Sequence, residues 1–307
     1  MAYAISIKDL SKSFGTVKAL DGVSLDVRKG ELFGIIGPDG AGKTTLFRLL
    51  TTLMSPDSGS ATVDGLDIVR DYRAIRSRVG YMPGKFSLYQ DLTVRENLEF
   101  FASVFGTTIE ANYDLIKDIY CRLEPFSDRK AGKLSGGMKQ KLALCCALIH
   151  APSVLFLDEP TTGVDPSSRR EFWEMLDRLK DFGITILAST AYMDEASRCD
   201  RVAMMNGGRF LSYGTVDEIT SAFDRPLLEV RSDEMFRLLS DIRSLDGVEE
   251  CYTFGGVHHV RLKKGSTMTA DTLHGIIESM GHTHAYAAEC LPGMEDCFMN
   301  EVVRING

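Results

Sequence analysis

The sequence predicts an α/β layered domain followed by a small α+β sandwich, and three observations carry that expectation. From residue 4 to about residue 220, short apolar runs at 32–36, 79–82, 154–157, 185–188 and 202–205 are separated by helical patterns. A glycine-rich segment stands between the first of these runs and an apolar helix. After Pro226 the texture changes to amphipathic helical patterns set among short strand patterns.

The first observation decides the layer type. Val154, Leu155, Phe156 and Leu157 are continuously apolar, as expected of a parallel strand covered on both faces. Such strands alternating with helices build a layered α/β domain. The third observation predicts a separate unit. Residues 227–230 read as a strand, and Ser232 can cap a helix whose apolar face is Met235, Leu238, Leu239 and Ile242. Residues 248–254 and 257–263 flank Gly255 and Gly256, a hairpin signal. A second amphipathic helix carries Leu273, Ile276, Ile277 and Met280; a strand at 284–288 and a helix at 294–303 follow. Strand, helix, strand, strand, helix, strand is the order of a ferredoxin-like sandwich. The expected domains are therefore 1–225 and 226–307.

Composition narrows the function. The formal charge of −8 argues against a nucleic-acid surface, which would show a basic excess or stripe, so no nucleic-acid partner is expected. The N-terminal residues lack a basic segment ahead of an apolar one, so no secretory signal is read. No run approaches the roughly 18 apolar residues of a membrane span, and a membrane role would come through a partner. The cysteines form no CxxC pair, and Cys145 and Cys146 lie in an apolar helical pattern typical of reduced core thiols. His258, His259, His274, His282 and His284 all fall after Pro226, at spacings that match no metal-ligand pattern.

The second observation carries the chemistry. Gly37, Pro38, Asp39, Gly40, Ala41, Gly42, Lys43 and Thr44, followed by Thr45, fit GxxxxGK[ST] between a strand and a helix. The glycines let successive backbone N–H groups turn inward around phosphate oxygens at a helix N-terminus that favours anions. Lys43 would reach the terminal phosphates, and the Thr44 hydroxyl would ligate Mg²⁺. Far downstream, the apolar run 154–157 ends in Asp158 and Glu159, at a strand's carboxyl edge where α/β sheets place ligands. Asp158 is the natural direct or water-bridged partner of Mg²⁺. Glu159 is the natural base or water-orienting group for attack on a γ-phosphate.

Between these two segments lie Leu134, Ser135, Gly136, Gly137 and Met138. With this third motif, the chain resembles the nucleotide-binding subunits of ATP-binding cassette (ABC) transporters over roughly residues 4–220. The resemblance implies a P-loop NTPase fold with a RecA-like core, an antiparallel β subdomain and a helical signature subdomain at about 88–150. It implies ATP and Mg²⁺ as cofactors and two cassettes paired head to tail. Each ATP is then held between one subunit's phosphate loop and the other's signature. Ser135 and the amides of Gly136 and Gly137, at the start of a helix, would meet the γ-phosphate across that interface. Phe14 stands where the family places a ring on adenine, the alternative being a core aromatic beside Leu10 and Val17. Residues 161–166, with Val164 and Asp165, resemble the loop that crosses the dimer interface, and Trp173 beyond them reads as packing.

Two departures matter. The family normally has a glutamine that helps hold Mg²⁺ and the attacking water, and a histidine that contacts the γ-phosphate. Gly84 stands at the glutamine's place and Ala191 at the histidine's, with Gln90 offering only a shifted alternative. His150, the cassette's own histidine, stands ahead of the Asp158–Glu159 strand and cannot substitute by position. Losing one preorganised donor commonly costs about a hundredfold in rate, though two losses need not add. ATP binding is expected to survive while hydrolysis at this loop is weak, the alternative being that Glu159 and a partner's groups sustain turnover.

The same segments, with Leu291 to Phe298, are similar to one of two cassettes in bacterial drug-export systems. The expected partners are a second cassette, with a heterodimer favoured over a homodimer, and integral-membrane permease subunits. The expected location is cytoplasmic, peripheral on the inner face of the cytoplasmic membrane. A soluble translation ATPase would carry two cassettes and a charged linker, and a DNA-repair relative a long coiled-coil insertion. A regulatory ATP sensor would dimerise without turnover.

Overall fold

The computed structural model describes residues 3–306. They form two compact units, one running to Val216 and including the residues from Glu301 onward, the other Asp217–Asn300.

The first unit holds two sheets. Strands β1 (Tyr3–Phe14), β2 (Val17–Arg28), β4 (Ser58–Val63) and β5 (Leu66–Asp67) form an antiparallel sheet in the order β2-β1-β4-β5. Strands β3 (Leu32–Ile36), β6 (Val79–Met82), β7 (Val154–Asp158), β8 (Thr185–Thr190), β9 (Arg201–Asn206) and β10 (Arg209–Gly214) form the second, in the order β10-β9-β3-β8-β7-β6. All its pairings are parallel except that of β10 with β9. Its helices are α1 (Lys43–Leu50), α2 (Tyr72–Arg76), α3 (Val94–Val104), α4 (Tyr113–Tyr120), α5 (Gly136–Leu148) and α6 (Pro166–Leu179), while α7 (Val216–Ser221) belongs to the second unit from Asp217 on.

Every residue of β3, β7 and β8 is buried, which is why β3 and residues 154–157 of β7 are apolar without alternation. Alternate side chains nevertheless face different cores. Leu32, Leu155, Leu157, Ile186 and Ala188 join the helical side with Leu142, Leu144, Phe172 and Trp173. Phe33, Ile35, Phe156 and Leu187 join the side built by the antiparallel sheet and α1, with Ile5, Leu10, Val23 and Phe47. Trp173 is a packing residue, as its sequence context suggests. Thr93 starts α3 with a capping box: its side chain accepts from the Glu96 amide, and the Glu96 carboxylate accepts from the Thr93 amide at 2.7 Å. Buried Asn97 donates to the Tyr89, Leu92 and Thr93 carbonyls, which pins the loop ahead of that helix.

The second unit comprises β11 (Leu227–Arg231), α8 (Met235–Arg243), β12 (Val248–Phe254), β13 (Val257–Leu262), α9 (Ala270–Ser279), β14 (Tyr286–Glu289) and the first part of α10 (Met294–Asn306). Its sheet is antiparallel in the order β12-β13-β11-β14, the ferredoxin-like arrangement of a βαββαβ chain. Leu228, Val230, Cys251, Val260 and Leu262 pack with Leu238 and Ile242 of α8 and Leu273 and Ile277 of α9. Ser232 does not cap α8. Its buried hydroxyl lies 3.2 Å from Nδ1 of His282, and Glu234 is the N-cap without a side-chain bond. Among the described residues, all seven cysteines are free, and no helix is long and apolar enough to cross a membrane.

Phe156 is fully buried and meets the Phe47 ring edge-on at 6.0 Å. Phe156→Ala should therefore cost about 3–5 kcal/mol of first-unit stability in urea unfolding. Thr93→Ala, which removes a cap, should cost only about 1 kcal/mol. Equal losses would contradict this assignment of the core.

Candidate functional site

Strand register gathers the candidate residues before any side chain is considered. On β8, Thr190 is opposite Ile36 of β3, and Ser189 is opposite Asp158 of β7. On β6, Met82 is opposite Leu157. The carboxyl ends of four neighbouring strands thus deliver the phosphate loop, residues 189–191, the Asp158–Glu159 pair and Gly84 to one edge.

The loop after β3 is anchored by the Gly37 amide, which donates to the Thr190 carbonyl at 3.2 Å. It closes on Gly42, the N-cap of α1, at φ 109°, a conformation that excludes side chains. A Cβ on Gly37 would run into the Met205 carbonyl, and one on Gly42 into the Ala19 carbonyl. Lys43 is 3% exposed; its Nζ donates to the carbonyls of Gly37 at 2.7 Å and Pro38 at 2.9 Å, and lies 3.0 Å from Oε1 of Glu159.

Beside it, Thr44 Oγ1 donates to Oδ1 of Asp158 at 3.2 Å, and the Ser189 hydroxyl donates to the same oxygen at 2.8 Å. Burial raises the Asp158 carboxyl above its ordinary value, although the Ser189 and Thr44 hydrogen bonds act against the shift. Glu159 has φ 50°, held by its amide's bonds to the Ser189 carbonyl at 3.1 Å and hydroxyl at 3.0 Å. Tyr81, on β6, is pushed up to about 12 by burial and by the Asp158 charge. A hydroxyl in the first turn of α1 and a carboxylate at the end of β7, beside a buried ammonium and a glycine-rich loop, fit a magnesium-bound nucleoside triphosphate.

The remaining positions take distinct places. Gly84 lies against the acidic pair: a Cβ there would meet the Asp158 carbonyl at 2.9 Å. Ala191 is exposed directly after β8. Phe14 is 48% exposed and Val17 64%, so Phe14 is not a core aromatic. Leu134 is buried, and exposed Ser135 is the N-cap of α5, accepting from the Met138 amide at 3.4 Å. Gly137 approaches Ser168 so closely that a Cβ would lie 3.1 Å from its hydroxyl. Asp165 caps α6 through the Ser168 amide at 3.0 Å, and that bond holds its carboxyl below the usual value. His150 stacks on Phe105 at 3.8 Å with Nε2 at 3.2 Å from the Val79 carbonyl, which ties it to other groups.

Sequence reasoning missed two participants. Ser189 bridges Asp158 and Glu159, as above. Glu195 is buried and accepts from Thr161 at 2.9 Å and Thr190 at 2.5 Å, locking together the segments that follow β7 and β8. Neither belongs to a local motif, because both roles arise from β7 and β8 being neighbours.

A phosphate loop and two strand-end carboxylates on the carboxyl edge of a parallel sheet define a P-loop nucleotide-binding domain. The family model described as ABC transporter matches residues 20–162. The probable multidrug ABC transporter ATP-binding protein YbhF of Escherichia coli is 42% identical over 302 residues, covering 96% of this chain and 51% of YbhF. The chain thus spans about half the length of that relative. The Nod factor export ATP-binding protein I of Burkholderia lata is 43% identical over 213 residues, covering 68% of this chain and 70% of that protein. The solved structure of cbiO1 from Clostridium perfringens, part of the ABC transporter complex cbiONQ, superposes with a TM-score of 0.65 at 27% identity, over 72% of this chain and 92% of that one. The chain belongs to the ATP-binding subunits of ABC transporters.

The raised Asp158 carboxyl sets a sign. Between its unfolded value of 3.8 and its higher folded one, the native state holds more protons, so rising pH removes stability. Asp158→Asn should therefore raise the thermal midpoint of the nucleotide-free chain near neutral pH. The gain should shrink as pH falls through the folded value. A lowered midpoint in calorimetry would contradict the assignment.

Proposed function

We propose that this chain binds Mg-ATP on residues 37–45 with Asp158, and that it is the ATP-binding, ATP-hydrolysing subunit of a membrane exporter. Nucleotide-sandwich dimerisation with a second cassette would drive the cycle. The observation that carries the reading is the convergence of Lys43, Thr44, Asp158 and Glu159 on one sheet edge, with Lys43–Glu159 at 3.0 Å and Thr44–Asp158 at 3.2 Å.

In this reading Lys43 neutralises the terminal phosphates, and Thr44 and Asp158 hold Mg²⁺. Bound magnesium supplies charge neutralisation at the transferring phosphoryl group. Glu159 orients or deprotonates the attacking water. Exposed Phe14 offers its ring face to adenine. Ser135, Gly136 and Gly137 present a capped helix start to the γ-phosphate of the other subunit's ATP, beside Val164 and Asp165.

Gly84 and Ala191 have no side chain that can hold a water or donate to a phosphate oxygen. We therefore infer that this loop's own ATP turns over slowly, while the signature completes a faster site on the partner. A heterodimer follows from that asymmetry. YbhF, about twice as long as its matched span, has room for two cassettes, which supports the pairing. The permease contact is proposed at the groove lined by Met82, Leu88, Phe101, Phe105 and His150, because that groove borders the segment carrying Gly84. The chain would then work in the cytoplasm, peripheral on the inner face of the membrane.

Steady-state ATPase of the purified chain should run about a hundredfold below that of its complex with a cognate cassette. Robust turnover by the chain alone, lost in Glu159→Gln, would sink the degenerate-site reading. Ser135→Arg should abolish stimulation of the partner while leaving ATP binding to this chain intact in equilibrium dialysis. Lys43→Ala should remove that binding, and its persistence would overturn the assignment of the phosphate loop.

A further inference from the structure

The second unit carries a donor cluster that nucleotide chemistry does not use. Glu229 of β11 and His259 of β13 are direct cross-strand partners. Cys290 follows β14, and its amide donates to the Leu227 carbonyl at 3.1 Å. Glu229 pairs with Ala288 of β14, so Cys290, two residues on, shares Glu229's sheet face. A carboxylate oxygen, an imidazole nitrogen and a thiol sulfur consequently converge, all within 4.8 Å of one another.

The surroundings orient these groups. His259 is buried, its ring stacked on Phe254 at 4.1 Å between centroids. Its Nδ1 donates to Oδ1 of Asp296 at 2.6 Å, which leaves Nε2 as the nitrogen for a ligand. Asp296, fully buried on α10, also accepts from the Tyr252 hydroxyl at 2.5 Å and the Gly293 amide at 2.7 Å. Burial works to raise its carboxyl, but these hydrogen bonds outweigh burial and keep it below the ordinary value. Tyr286 donates to Oε1 of Glu229 at 2.9 Å. A histidine whose other nitrogen is held by a buried carboxylate is the arrangement by which metal sites set ring orientation and raise ligand basicity.

We propose that Glu229, His259 and Cys290 form a zinc site, with Asp296 as the carboxylate that orients the histidine. Thiolate, imidazole and carboxylate together are a borderline-soft donor set that favours zinc over magnesium or calcium. Rotation of the partly exposed Glu229 and Cys290 side chains toward the fixed His259 ring would close the triangle to the usual bond lengths, about 2.3 Å for sulfur and about 2.0–2.2 Å for nitrogen and oxygen. Cys290 gives up its proton to the solvent on binding, and a water fills the fourth tetrahedral position. The ion clips the segment ahead of α10 to β11 and β13, a structural role independent of the ATP site.

The test is zinc binding by the intact, nucleotide-free and tag-free chain, measured as metal content after dialysis and by competition with a chromophoric chelator. About one zinc per chain should be retained, and cobalt(II) in its place should show thiolate-to-metal charge-transfer absorption. Cys290→Ser should remove that absorption and weaken zinc binding about tenfold or more. Glu229→Gln, at a partly exposed position, should weaken binding while the chain stays folded by circular dichroism. Cys121→Ser, at an exposed cysteine in the first unit, should change nothing. No retained zinc, cobalt without a thiolate band, or binding undiminished in both Cys290→Ser and Glu229→Gln would overturn the proposal.

Discussion

A buried ammonium is the constraint around which the first unit is organised. Lys43 is 3% exposed, and an uncompensated charge at such a depth costs several kcal/mol. Its three oxygen partners come from the carbonyls of Gly37 and Pro38 and from Glu159. The carbonyls require the loop to curl back over the start of α1, and Gly40 at φ 79° and Gly42 at φ 109° permit that curl. Glu159 must then turn toward the loop, and it does so at φ 50°, a left-handed conformation that costs a non-glycine residue on the order of 1–3 kcal/mol. Ser189 holds it there through its carbonyl and hydroxyl.

That arrangement ties the site to the sheet order. Ser189 reaches both acidic residues only because β8 lies between β3 and β7. The Gly37 amide finds the Thr190 carbonyl for the same reason. Buried Glu195 extends the coupling by gathering Thr161 and Thr190 on one carboxylate. Displacing one of these segments therefore disturbs the others, and the strand ends behave as one polar network at the sheet edge.

The legible parts were those whose physics is local in the chain. A glycine loop between a strand and a helix, an apolar strand ending in two acids, and a serine capping a helix each state their geometry within a few residues. The ferredoxin-like order was readable because hairpin and helix periods differ. Ser189 and Glu195 were not readable, since a lone serine or glutamate acquires meaning only from its neighbouring strand. Ser232 misled because a cap signal near a helix start cannot reveal that its hydroxyl faces buried His282. The histidine spacing is silent for another reason. Linear spacing offers no ligand set, whereas Glu229, His259 and Cys290 converge because β11, β13 and the segment just after β14 bring one residue each.

The Lys43–Glu159 pair also bears on the difference between holding a nucleotide and cleaving it. In the proposed function an incoming phosphate would compete with Glu159 for the same ammonium, which lies 3.0 Å from its carboxylate, and so would free that carboxylate for its proposed water. In the released state the water needs a second group to fix its direction, because one carboxylate leaves it free to pivot. Gly84 is the residue against that position, and it brings only backbone. A side chain could not simply be restored there, since a Cβ would meet the Asp158 carbonyl at 2.9 Å and force the segment to shift. The slow turnover proposed for this loop would thus follow from how closely the chain packs against its own acidic pair as well as from a missing amide. Lys43, Thr44 and the amide cradle do not depend on that packing, so under the proposed function binding and cleavage would come apart in the same site.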